Sequence, residues 1–210
     1  MSIKITTLVE NSVYGKGLQG EHGLSLLVDT GEHRLLFDTG ASDLFIRNAR
    51  ILGIDLKEVD FLVLSHGHRD HTGGLHHFLA VNDKAQVVCK RELFQPKFKD
   101  ERENGVMQPD ALDSTRFRFV DEVTELCRSV FVFPQLPVTD EEDTHFEHFF
   151  TWAEGRKQAD TFTDELALVL KQGAEVSVLS ACSHRGITNI IRAVQELSLI
   201  HISEPTRRVV

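Results

Sequence analysis

Ser65-His66-Gly67-His68-Arg69-Asp70-His71-Thr72-Gly73-Gly74-Leu75 follows directly on the apolar run Phe61-Leu62-Val63-Leu64. Three histidines and a carboxylate fall within residues 66–71. A strand that empties into a loop this dense in ligating side chains reads as a metal site at the strand's C-terminal end. His66 and His68, spaced two apart, can turn both imidazoles onto one cation at about 2.0–2.1 Å. Asp70 and His71 can face a second cation roughly 3.5–4 Å away, a separation suited to hydrolysis by paired ions. Mixed nitrogen and oxygen donors suit zinc, manganese or iron. The expected cofactor is one or two divalent ions, with zinc favoured. The blander alternative is a polar loop with surface histidines. Four potential ligands in so short a span after a buried strand weigh against it.

Upstream, Ile3 to Val9 alternates β-branched and polar residues and predicts a strand. Gly23 to Thr30 and His33 to Phe37 predict two strands of a hairpin, turning at Thr30-Gly31-Glu32. Ser42 or Asp43 can cap a helix to about Leu52, with Leu44, Phe45, Ala49 and Leu52 as its apolar stripe and Gly53 as its stop. Downstream, Gly74 to Val81 predicts a helix and Ala85 to Cys89 a strand. Strand, ligand loop, helix, strand is a βαβ unit, which places functional loops at strand C-termini.

Arg91 to Asp113 reads as a long loop or insertion, and Pro134 to Asp160, acidic and aromatic, as a flap or edge segment. Strands are predicted at Phe117 to Val120, Val130 to Phe133, Leu166 to Leu170 and Val176 to Leu179, and a helix over Asn189 to Glu196. The order suggests two sheets packed face to face with helices outside.

His184 follows the last of these strands, in a loop before a helix, the topological position of the first ligand loop. It is therefore a further candidate metal ligand. Cys182 beside it can ligate, but a buried small residue is the favoured reading.

The net charge of -9 argues against a broad phosphate-binding surface and so against nucleic acid as partner. It leaves a small anionic substrate open, because a bound cation dominates its own site. Three scattered cysteines without a C-x-x-C suggest a reducing compartment. No apolar run of about 18 residues predicts a membrane span, and Met1 to Thr7 lacks a signal peptide's apolar segment. The expectation is a cytoplasmic protein with a small-molecule substrate.

The H-x-H-x-D-H pattern of residues 66–71 resembles the signature of the metallo-β-lactamase superfamily. Phe37-Asp38-Thr39-Gly40 resembles that family's first motif, which implies that Asp38 orients the metal loop from behind. The resemblance implies a four-layer αββα sandwich of the α/β class. Glu21-His22-Gly23-Leu24-Ser25, Thr163-Asp164-Glu165-Leu166-Ala167-Leu168 and Ala181-Cys182-Ser183-His184-Arg185-Gly186-Ile187 are similar to a branch that includes dihydropterin-forming synthases. Asp164 is then a candidate partner for a ligating histidine, with a plain turn before a strand as the equal alternative. Family members usually carry another histidine where this chain has Cys89-Lys90. Lys90 is assigned here as a catalytic helper for a substrate anion, and Lys90, Lys97 and Arg102 as an anion-binding edge, with ordinary solvated charges as the alternative.

Leu197-Ser198-Leu199-Ile200-His201-Ile202-Ser203-Glu204-Pro205-Thr206-Arg207 breaks the family pattern and resembles a translated sequencing adapter. The expectation is a metallo-β-lactamase-like domain over residues 1–196, truncated at its C-terminus and lacking a last ligand, with 197–210 a non-native tail. The leading functional expectation is a metal-dependent hydrolase. His66, His68 and His184 would hold one ion and Asp70 with His71 the other, and a metal-bound hydroxide would attack a carbonyl or phosphoryl centre. Asp70 doubles as the proton-handling catalytic residue. The substrate class implied by the branch is a small phosphorylated or cyclic metabolite. The alternatives are a nuclease or phosphodiesterase of the same superfamily, and a non-catalytic metal-binding or redox protein on the same scaffold.

Overall fold

The computed structural model describes residues 3–153 and 155–201, the last five by their helical backbone only. The chain opens with β1 (Lys4–Val9), β2 (Ser25–Asp29) and β3 (Arg34–Phe37), followed by α1 (Leu44–Ile51) and β4 (Phe61–Val63). The ligand loop holds a short helix, α2 (Arg69–Thr72), before α3 (Leu75–Val81) and β5 (Gln86–Cys89). Next come β6 (Lys97–Lys99), β7 (Arg102–Glu103), β8 (Phe117–Phe119), β9 (Thr124–Cys127) and β10 (Val130–Phe133). The remainder is β11 (Phe149–Ala153), β12 (Arg156–Ala159), β13 (Ala167–Gln172), β14 (Glu175–Leu179) and α4 (Ile187–His201). Of the expected non-native tail over 197–210, residues 197–201 continue the helical backbone of α4, and 202–210 lie outside the described residues.

Strand alternation builds the layers. The first sheet runs β1-β2-β3-β4-β5-β8, antiparallel up to β3 and parallel from β3 onward. Leu27, Leu36, Leu62, Leu64, Val87 and Cys89 point to one face and pack under Leu44, Phe45 and Ala49 of α1 and Leu75 and Phe78 of α3. Val28, Leu35, Phe37, Val63 and Val88 point to the other face. There they meet Val130, Val132, Leu168 and Leu170 of the second sheet, β14-β13-β10-β9. The far side of that sheet, through Phe133, Ala167 and Val169, packs on Ile190, Ala193 and Val194 of α4. Three apolar seams thus separate four layers, helix, sheet, sheet, helix, as the αββα expectation required.

A third sheet, β12-β11-β6-β7, is a departure from that expectation. It joins the two segments read as a loop and a flap: Lys97–Lys99 pairs with Phe149–Thr151. It is two short hairpins, β6–β7 and β11–β12, and the β6–β11 pairing that joins them links residues some fifty apart, so no local periodicity betrays the sheet. Strand β9, not predicted from sequence, is a short, half-exposed strand that pairs with β10 as a hairpin through an irregular register, so it carries no clean alternation. Helix α1 starts after Asp43, but the side chain that bonds to its first turn is Ser42, whose Oγ accepts from the Leu44 N–H at 3.1 Å. No helix among the described residues is long and apolar enough to cross a membrane.

Candidate metal centre

The loops that follow β4 and β14, strands of the two facing sheets, bring the ligands together. His66, His68 and His184 are all buried, and one ring nitrogen from each lies within 4.8 Å of the others. The Nε2 atoms of all three are buried without a hydrogen-bond partner. An orphaned buried acceptor costs about 1–3 kcal/mol, so three around one point are well explained by a cation held there.

The hydrogen bonds define which nitrogens are free. Asp38, fully buried at the end of β3, takes the Ser65 N–H on Oδ1 (2.7 Å) and the Ser65 hydroxyl on Oδ2 (2.7 Å). With that proton committed, the Ser65 oxygen accepts from His66 Nδ1–H at 2.9 Å, and His66 Nε2 keeps its lone pair. His184 Nδ1–H donates to the His145 carbonyl at 3.0 Å, which likewise leaves Nε2 as the open nitrogen. Asp38 also receives His71 Nδ1–H at 2.8 Å. One carboxylate therefore orients the loop backbone, His66 through Ser65, and His71.

The electrostatics divide the histidines into two kinds. Burial drives the His66 pKa well below its ordinary value, with the neighbouring His71, His68 and His184 adding to the effect. Burial and His184 push His68 down to about 2, and burial pushes His184 to about 4. These three rings are neutral donors at neutral pH. His71 is the reverse: burial opposes its charge, but Asp38, Asp70 and the Cys182 thiol outweigh it and hold the pKa well above the ordinary value. Burial also works against Asp70, yet the hydrogen bond and charge of His71 keep its pKa down at about 2.

His71 belongs to a second group. One ring nitrogen each from His66 and His71 and the Cys182 sulfur lie within 4.8 Å of one another. His71 Nε2 is 3.1 Å from Cys182 Sγ and 3.3 Å from Asp70 Oδ2. His22, on the loop before β2, reaches Asp70 Oδ2 at 3.4 Å. These residues line a hollow of about 180 Å³ with Gly23, Leu24 and Ala181. Cys182 is exposed at this mouth, not buried as the sequence suggested, because the turn after β14 presents it to the hollow beside His71.

Two other expectations change. Asp164 does not hold a histidine: its Oδ2 accepts the Gly67 N–H at 2.6 Å and its Oδ1 the Lys97 ammonium at 2.9 Å. Gly67 sits in so tight a cradle that a Cβ would collide with the Leu93 carbonyl and come within 2.9 Å of Lys97 Cε. Lys97 is no part of an exposed anion-binding edge, since its side chain is 1% exposed and paired with Asp160 as well, at 2.8 Å. Lys90 donates to the Pro134 carbonyl at 3.2 Å and lines a separate hollow with Leu136, Thr163 and Arg185, so no described contact brings it to the histidines. Arg102 is exposed on β7.

Glu165, buried, accepts the N–H groups of His184 (2.9 Å) and Arg185 (2.8 Å). Burial raises its pKa to about 7 against the pull of those two donors. Two phenylalanines wall the tripod: Phe149 of β11, 4.8 Å from the His68 ring, and Phe162, stacked on His184 at 3.8 Å. Phe149 explains what the third sheet does, since it carries this aromatic cover to the ligands. Ser65 was open to detection as the residue beside His66, whereas Phe162 and Lys97 carry no local signal.

Comparison with known proteins bears on these geometric observations. The family model described as metallo-beta-lactamase superfamily matches residues 18–163. A relative from Methanocaldococcus jannaschii, named 7,8-dihydropterin-6-methyl-4-(beta-D-ribofuranosyl)-aminobenzene-5'-phosphate synthase, is 28% identical over 219 residues, covering 95% of this chain and 74% of the relative. The crystal structure of a metal-dependent hydrolase of the beta-lactamase superfamily aligns with a TM-score of 0.78 at 33% identity, covering 93% of this chain and 72% of that one. A metallo-beta-lactamase fold protein from Bacillus subtilis aligns with a TM-score of 0.50 at 15% identity, covering 86% of this chain and 63% of that one, a likeness of fold alone.

Proposed function

From a chain that belongs to the metallo-β-lactamase superfamily, we propose a metal-dependent hydrolase that acts on a small phosphorylated or cyclic metabolite. The observation that carries this reading is the tripod: three buried imidazoles whose Nε2 atoms have no partner in the protein. His66, His68 and His184 hold the first divalent ion, zinc before manganese or iron. They are neutral at physiological pH and need lose no proton to bind. His71, with Asp70 and Cys182 beside it, would hold a second ion, and its ring would have to lose the proton that Asp38 and Asp70 favour. A divalent cation in such a site supplies Lewis acidity and lowers the pKa of water.

The chain's own groups do the rest. Asp70 faces the hollow with a carboxylate that stays ionised, and it receives the proton released when water attacks. Phe149 and Phe162 pack their rings against His68 and His184, an apolar wall that strengthens charge interactions beside it. The phosphorylated heterocyclic product in the Methanocaldococcus jannaschii relative's name supports a substrate of that kind. The test is hydrolysis of a panel of phosphodiesters, cyclic phosphates and lactones by zinc-, manganese- and iron-loaded protein. Turnover that requires metal and falls at least 100-fold in Asp70→Asn is expected. Stoichiometric metal with no turnover of any member of the panel would overturn the hydrolase reading.

A further inference from the structure

We infer that Phe162 is a positioning residue for the tripod: its ring sets the plane of the His184 imidazole and so the aim of the open Nε2. The inference rests on the tripod being a metal site. The Phe162 and His184 rings lie 3.8 Å apart between centroids with only 11° between their planes. The Nδ1–H bond to the His145 carbonyl anchors one atom of the imidazole, and the backbone bond to Glu165 anchors the main chain. Neither fixes the tilt of the ring about that anchor. A flat partner in face-to-face contact does, and the stack is the contact that supplies it.

The backbone at Phe162 supports a specific role over generic packing. Phe162 is fully buried and has φ of 51°, in the left-handed region that a bulky residue rarely adopts. The Asp160 carboxylate holds it there by accepting the Phe162 N–H at 2.8 Å on Oδ1, while its Oδ2 accepts from Lys97 at 2.8 Å. Lys97 then bonds Asp164, and Asp164 bonds the Gly67 N–H between His66 and His68. One buried ion cluster therefore fixes both sides of the tripod: the turn that carries two ligands directly, and the third ligand through the ring of Phe162. The other ring neighbours of Phe162 are more distant: His68 at 5.1 Å, Phe149 at 5.4 Å, Phe146 at 5.8 Å and His66 at 6.1 Å.

The test compares Phe162→Leu and Phe162→Met, which keep bulk and lose the flat face, with Phe146→Leu, which removes an aromatic ring one step further from the ligand. The zinc Kd of each folded, EDTA-stripped protein is read by competition with a chromophoric chelator, and cobalt-loaded protein gives the ligand-field spectrum. Weakening of about 10-fold or more in both Phe162 variants is expected, the range for losing a group that orients a ligand, together with an altered cobalt spectrum. Phe146→Leu should stay within about threefold of wild type. A wild-type Kd in either Phe162 variant would overturn the assignment, as would equal weakening in Phe146→Leu. Wild-type protein that binds no zinc would overturn the metal centre itself, a separate result.

Discussion

Replacing Lys97 with methionine removes the ammonium that lies between two buried carboxylates. The Lys97, Asp160 and Asp164 side chains are 1%, 3% and 0% exposed, and the ammonium sits 2.8 and 2.9 Å from its partners. At an effective dielectric of about 20, each contact is worth roughly 6 kcal/mol of attraction. Much of that is offset by the cost of desolvating the three charges. Deleting one partner regains the lysine's share of that cost but leaves two like charges buried, so a net loss of about 3–5 kcal/mol is expected. Roughly a fifth or more of an ordinary domain's stability is at stake.

The pH dependence gives the reasoning a second handle. Burial already raises the Asp164 pKa while Lys97 opposes the rise. Without the lysine, the folded Asp164 carboxyl holds a proton that the unfolded chain releases, so the variant's stability falls as pH rises. Urea unfolding followed by circular dichroism in EDTA, at pH 5.5 and 7.5, measures both effects. The deficit relative to wild type should be larger at pH 7.5. A loss under about 1 kcal/mol at pH 7.5, or a deficit that grows on acidification, would refute the ion-cluster argument.

Asp38→Asn keeps the shape but replaces an acceptor shared by the Ser65 hydroxyl and His71 with an amide that must donate. Zinc affinity should fall about 10–100-fold, measured by chelator competition, and an unchanged Kd would remove Asp38 from its orienting role. For EDTA-treated wild type, stability should fall as pH drops from 6.5 to 4.5. The folded His66, His68 and His184 stay below the ordinary 6.5 and refuse protons that the unfolded chain takes up. Glu165, raised from 4.5 to about 7, works the other way over the same window. Asp164, also raised by burial, adds to that opposition; three imidazoles still outweigh two carboxyls, so unfolding near pH 5.5 should take up about one proton or more. His71 adds nothing to this slope, because its raised pKa contributes stability that is lost only as pH climbs above 6.5. Flat or rising stability on acidification over that window would contradict the assignment of neutral buried rings.

Legibility followed the distance along the chain over which each feature is built. The ligand loop could be read because His66, His68, Asp70 and His71 are near neighbours after an apolar strand. His184 could be read because its loop repeats the strand-to-loop pattern of the first, and the structure brings it to His66 and His68. The four layers could be read from the order of strands and helices together with the family resemblance, and in the structure successive residues of strands such as Arg34–Phe37 and Ala167–Gln172 enter different seams. What stayed hidden depends on long-range partners. Lys97 sits in a stretch that reads as solvated charge, and its carboxylates lie 63 and 67 residues away. Phe162 shows neither periodicity nor motif, and its importance is a ring contact made across a turn. Lys90 was favoured from a family position, but its ammonium turns to the Pro134 carbonyl instead.

The central claim is that His66, His68 and His184 together hold a cation. Elemental analysis of purified wild-type protein beside His68→Ala and His184→Ala addresses it directly. The account predicts at least about one divalent ion per wild-type chain and loss of most of it in each variant. His184→Ala protein that keeps the wild-type metal content would contradict it.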